Sequence, residues 1–315
     1  MKIVLIVCYM AVALLSAENL KPSFSLQTSG NVQAMVHQNN LLYAATSNGS
    51  VEIFNLLTKT LVRSIKIPPI KDFMGDTIPS KIYSLDIHNK KIVFISEGTR
   101  GYRNLWIEEN ATVKKVIDVN RKWFMRKVMF VDETHLLIAL LSNELILFDT
   151  AANKVVYNKQ ISASSFSDFM LSEDKTTYAT TDESGVVHVV ETQTAAIIKR
   201  LEGQNLDKVY QLDYKQGVIL TAGQDRRCVV YENDGSASYM LFHFLLYSCA
   251  LSPSASLSAV AYNEENDILI FKTHTKAKRY NLVGQNATLT QILFLDEGRV
   301  AASSESQTIN FWILK

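Results

Sequence analysis

The chain has 315 residues, 47% apolar and 20% charged, enough apolar material for one large folded unit or two smaller ones. That composition excludes disorder or a coiled coil as the main state. Lys and Arg number 32 against 31 Asp and Glu, so no bulk basic field exists to hold a phosphate backbone, and nucleic acid is not an expected partner.

In chain order, Met1 and Lys2 precede an apolar run from Ile3 to Leu15, followed by Ser16, Ala17 and Glu18. Charge, apolar stretch and small residues in that order read as a secretory signal peptide, residues 1–17, cut after Ala17. The run is shorter than the roughly 20 residues of a comfortable membrane span; an uncleaved anchor is the competing reading. Residues 18–315 are therefore expected as an exported, periplasmic, monomeric domain with no membrane span after cleavage. Removing Lys2 leaves acidic and basic side chains equal in number.

Ser23 to Gln27 reads as an isolated strand, and a repeat organises everything after it. Short strand patterns ending in a large apolar anchor place those anchors at Phe54, Trp106, Phe148, Val190, Tyr231, Phe271 and Trp312. They stand 52, 42, 42, 41, 40 and 41 residues apart. Each unit reads as four strands dense in Val, Ile, Tyr and Phe, with Asn, Asp, Gly and Ser between them. One four-stranded sheet cannot cover both its apolar faces, but seven in a ring can. The expected fold is all-β: a seven-bladed β-propeller of four-stranded antiparallel blades. The seventh unit ends directly after its third strand, so the N-terminal strand near residues 23–28 is expected to supply its fourth, closing the ring and removing an open edge.

The period, the seven units and the third-strand anchors resemble the WD40 family over residues 22–315. The family's Gly-His dipeptide stands as Gly203-Gln204 and Gly284-Gln285, and its turn aspartate as Asp225. Elsewhere Asn48, Ser142, Ser184, Glu265 and Ser306 occupy that turn position. The family's His–Asp hydrogen-bond network is thus expected to be missing, with packing carrying the blades. Combined with the leader, the chain is similar to the NapL-type accessory propellers of periplasmic nitrate reductase systems. That resemblance implies a non-catalytic role in assembly or electron supply, with redox enzyme subunits as partners.

No nucleotide-binding, serine-hydrolase or zinc-protease motif occurs, so no catalytic, cofactor-binding or metal-ligating residues and no cofactor are expected. Cys228 and Cys249 sit in apolar strands and read as two buried free thiols, with a bridge as the alternative. His37, His88 and His135 fall in turns of three neighbouring blades, too far apart to share an ion, and read as solvated; His188 reads as a satisfied packing residue. No set of polar groups aimed into the central channel is identifiable from the first strands. A hydrolase- or lactonase-type channel enzyme and an envelope assembly scaffold remain the alternatives to a non-enzymatic interaction scaffold.

The longest spacing marks the candidate binding surface. It arises from the connection Pro68–Pro79 and the turn Glu97–Arg103, and the next connection on that face is Asn120–Arg126. Together they offer Phe73, Met74, Tyr102, Trp123 and Phe124 amid Arg100, Arg103, Arg121 and Arg126, the residue types favoured in protein–protein hot spots. A protein partner is expected there; the alternative is that Trp123 and Phe124 tuck between blades and the arginines merely face water. Lys276 to Arg279 read as edge charges on an outermost strand. Asn110, in Asn110-Ala111-Thr112 with Glu108 two places before it, is a candidate glycosylation acceptor.

Overall fold

The structure, a computed structural model, describes residues 17–315; the leader, apart from Ala17, lies outside the described residues. Seven sheets follow one another, each an antiparallel meander in which strand a lies innermost and strand d at the periphery. Blade one runs through Val32–Gln38, Leu41–Thr46, Ser50–Asn55 and Thr60–Lys66. The a strands of blades two to seven are Ile82–His88, Met125–Phe130, Phe166–Leu171, Val209–Lys215, Cys249–Leu251 and Leu289–Asp296. This is the seven-bladed propeller expected from the anchor spacing.

Strands b and c are buried along nearly their whole length because each sheet is packed between two others, so they read as continuous apolar runs rather than alternating ones. The core lies between blades: Val93, Ile95 and Leu105 of blade two pack with Val128, Phe130, Ile138 and Phe148 of blade three. Each such side chain contributes on the order of 1.5–3 kcal/mol by leaving water. Six of the seven anchors are buried, and the seventh, Trp106, lies partly buried against Phe94 and donates its Nε1–H to Ser96 Oγ at 2.9 Å.

The a strands of adjacent blades do not pair through their backbones, so their N–H groups need other acceptors. Side chains of the preceding blade supply them. Phe130 N donates to Asp86 Oδ2 at 2.7 Å, Leu212 N to Asp168 Oδ2 at 3.1 Å and Leu251 N to Asp213 Oδ2 at 2.8 Å. Ile292 N donates to Ser248 Oγ at 2.9 Å and Met35 N to Gln291 Oε1 at 2.6 Å. Lys127 Nζ reaches Asp168 Oδ1 at 2.7 Å between blades three and four.

Phe24–Gln27 pairs antiparallel with the last strand, Thr308–Ile313, as the missing fourth strand of blade seven. Phe24 stacks on Phe311 with ring centroids 4.2 Å apart, and Leu26 is buried beside Ile309 and Phe311. Blade six departs from the four-strand expectation. Glu18–Leu20 adds to it as a fifth strand, parallel to Tyr280–Leu282. The strand expected to be outermost there, Lys278–Leu282, is therefore covered only along Tyr280–Leu282, with Lys278 and Arg279 left exposed at its open end and Lys276 in the turn before it. A second correction concerns the blade interiors, where packing does not act alone. Asn205 Oδ1 accepts from Thr221 Oγ1 at 2.9 Å, Asp182 gathers Asn143, Ser162 and Ser184, and Gln285 pairs with Asn310. Different residue types thus build polar networks where a His–Asp pair was sought.

Candidate functional site

Six a strands carry a β-bulge at their second residue, which leaves one residue unpaired in the ladder: Gln33, Tyr83, Arg126, Ser167, Tyr210 and Thr290. A bulge re-aims its side chain, and all six line one central channel of about 470 Å³. These residues begin their strands, so they ring the channel mouth on the face where the d-to-a connections open. The two 3₁₀ turns among the described residues, Thr99–Gly101 and Val119–Arg121, flank that mouth at blades two and three.

These two loops are packed together by short local rules. Asp118 Oδ1 accepts from Asn120 N at 2.9 Å and starts the second turn, while Lys122, at φ 56°, ends it. Gly98 permits the contact: a Cβ there would lie 2.4 Å from Val119 Cγ1 and 2.8 Å from Tyr102 O. Tyr102 meets Phe124 edge to face at 5.1 Å, and Arg103 N donates to Trp123 O at 3.2 Å. The third loop forms a small hairpin, Ile70–Lys71 with Thr77–Ile78. At its tip Asp72 Oδ1 accepts from Met74 N and Asp76 N, both at 2.9 Å, which fixes a turn that leaves Phe73 95% and Met74 73% exposed.

The sequence-predicted residues thus separate. Phe73, Met74, Arg100, Arg121, Phe124 and Arg126 are exposed, and Tyr102 is half-buried. Trp123 is not a free hot spot: it packs partly buried against the core of blades two and three, with the Arg121 guanidinium 5.2 Å from its ring centroid. Arg103 is also drawn inward. Its guanidinium lies 3.7 Å from the Tyr83 ring centroid and donates to Met125 O at 2.6 Å. Burial, reinforced by the nearby charge of Arg126, lowers its pKa to about 10, so it remains a cation at neutral pH. Tyr83 is pushed up, first by burial and then by Glu97.

Sequence reasoning missed the channel's polar groups, Asp86, Lys127, Asp168, Asp213, Gln211 and Gln291. Their signal was a polar side chain at the third or fifth position of the first strand in blades two, three, four, five and seven. Asp168 and Asp213 are occupied as inter-blade acceptors, and burial raises Asp86 above the ordinary carboxylate range against the opposing N–H of Phe130. Among the described residues no group of three His, Cys, Asp or Glu is placed to hold a metal ion.

Cys228 and Cys249 are buried free thiols, with Cys249 Sγ 3.6 Å from the carbonyls of Gln211 and Leu220. Two histidine readings are corrected. His37 Nε2 is buried with no hydrogen-bond partner rather than solvated, and so is His188 Nδ1 rather than satisfied; burial lowers both pKa values. Asn110 is exposed at φ 50°, but Glu108 is buried, held by Arg63 at 2.9 and 3.2 Å, and turned back onto Ala111 N. Glu108 is therefore no accessible part of an acceptor motif. No protein-family model matches this chain, and no curated protein matches it in sequence.

Proposed function

We propose that this protein is an exported, monomeric, non-enzymatic scaffold that binds a protein partner across the rim of blades two and three. The observation that carries this reading is the Asp72-capped hairpin on the connection into blade two, which holds a phenylalanine and a methionine in water. Phe73 is the most exposed large apolar side chain among the described residues, and loops held on a rigid scaffold are where binding residues concentrate. The channel acids favour the non-catalytic reading, since Asp168 and Asp213 already hold the blades together. The leader-like start, the WD40 resemblance and the similarity to accessory propellers of periplasmic nitrate reductase systems support a finer reading, in which the partner is a redox enzyme subunit. Affinity capture from the native cells with wild-type protein and with the Phe73→Ala/Met74→Ala variant tests this. The wild type should recover a partner that the variant loses at unchanged thermal stability. Equal recovery by both proteins would overturn the rim as the binding surface.

A further inference from the structure

Elsewhere in this protein partly buried arginines have carboxylates. Arg227 Nε lies 4.0 Å from Asp225 Oδ2, and Arg299 Nε lies 2.7 Å from Asp296 Oδ2. On the rim of blades two and three the pattern breaks. Among the described residues the partly buried Arg103, and the exposed Arg100, Arg121 and Arg126 near it in sequence or on the adjoining loops, have no carboxylate at ion-pair distance, although Glu97 stands opposite Arg103 in the ladder; of these arginines Arg126 lines the channel. Arg103 is the sharpest case. It is half-buried, stacked on Tyr83, beside a second guanidinium, and commits a single N–H of its five to a carbonyl oxygen. A desolvated cation next to a like charge is unfavourable by itself, and an incoming anion removes that penalty.

Resting on the rim reading above, we propose that the channel mouth beside blade two receives the carboxylates of an acidic polypeptide segment, with Arg103 and Arg126 as the receiving groups against the Tyr83 ring. Arg103 is pre-oriented by its stack, so little rotamer freedom is lost on binding, and its remaining fork matches a carboxylate in two-pronged geometry. Tyr83 and Arg126 line the channel, whereas Asp86, Asp168 and Asp213 line it as well. Lys127 pairs with Asp168 and Lys215 also lines the channel, but with Glu173 the lining has four carboxylates against these two amines, which disfavours an anion further in, so the ligand lies across the mouth rather than plugging the channel. A polypeptide is favoured over nucleic acid because the basic patch is local on a chain with 32 basic and 31 acidic side chains, and because exposed Phe124, two residues before Arg126 and packed edge-on to Tyr102, borders it.

The test is fluorescence anisotropy with a labelled oligoglutamate of about ten residues, an oligolysine and an oligothymidylate of similar length, at low salt and then at about 0.3 M, where surface charge is strongly screened. The oligoglutamate should bind at low salt, weaken with added salt, and bind more tightly than either other probe. Arg126→Gln, at an exposed side chain with no hydrogen-bond partner among the described residues, should weaken it by about fivefold or more. Arg103→Lys, which keeps the charge but loses the fork and the stack, should weaken it similarly. Arg200→Gln, on the outer strand of blade four, should leave it unchanged. An oligoglutamate that does not bind, that ignores both substitutions, or that is outcompeted by the oligothymidylate overturns the proposal. Partner capture that still depends on Phe73 and Met74 in that case leaves the rim reading standing and refutes only the acidic chemistry.

Discussion

Leu26→Ala isolates the clasp that closes the ring. Leu26 is 5% exposed and packs among Val32, Leu42, Ile309 and Phe311, where blades one and seven meet. Truncation removes its transfer free energy and leaves a cavity, together about 2–5 kcal/mol. The four backbone pairs from Phe24↔Phe311 to Gln27↔Thr308 remain possible, so the loss reports side-chain packing rather than strand pairing. For a chain of this size each kcal/mol moves Tm by roughly 2 °C, which puts the expected drop near 4–10 °C. Gln27→Ala, on the exposed face of the same strand, should move it by less than about 1 °C. Circular dichroism melts of the two variants beside wild type decide the matter. A Leu26→Ala protein that melts with wild type would refute ring closure through this strand.

Other expectations follow from the same framework. Asp168→Ala strands both Leu212 N and Lys127, and should cost about 3 kcal/mol in urea unfolding, whereas Asp168→Asn keeps an acceptor and should cost roughly half that; equal, negligible losses would show that this residue does not join blades. Burial pushes the Cys228 thiol from its ordinary 9.0 to about 12, and Tyr157 and Tyr231 from 10.0 to about 12. The unfolded chain therefore releases these protons first, so stability is full below about pH 9 and falls as pH rises toward 12. A melt series should show that decline, blunted in Cys228→Ala, and a flat profile would contradict it. At neutral pH a thiol reagent should label neither Cys228 nor Cys249 until the protein is unfolded.

The ring was legible because its driving pattern is local and repeated: seven apolar third strands at one period, and a last unit that lacks a strand. Features built by tertiary register were not legible. Glu18–Leu20 is short and mostly polar, and its parallel pairing depends on where Tyr280–Leu282 lies in the finished blade. The bulges at Tyr83, Arg126 and Tyr210 exist only relative to the partner strand, so nothing in the sequence alone shows that these residues share one mouth. For Trp123 the sequence left packing and exposure both open, and only the finished core of blades two and three shows that it packs there partly buried. The exposure of Phe73 and Met74 was legible because it is set by a local device, the Asp72 turn.

The most direct measurement is site-specific photocrosslinking in the native cells. A benzophenone side chain placed at position 73 should yield a discrete crosslinked partner, as should one at position 124. The same group at Ile198, exposed on the outer strand of blade four, should yield none. Binding through the rim of blades two and three requires that contrast. Crosslinks that form from Ile198 while positions 73 and 124 stay silent would contradict it.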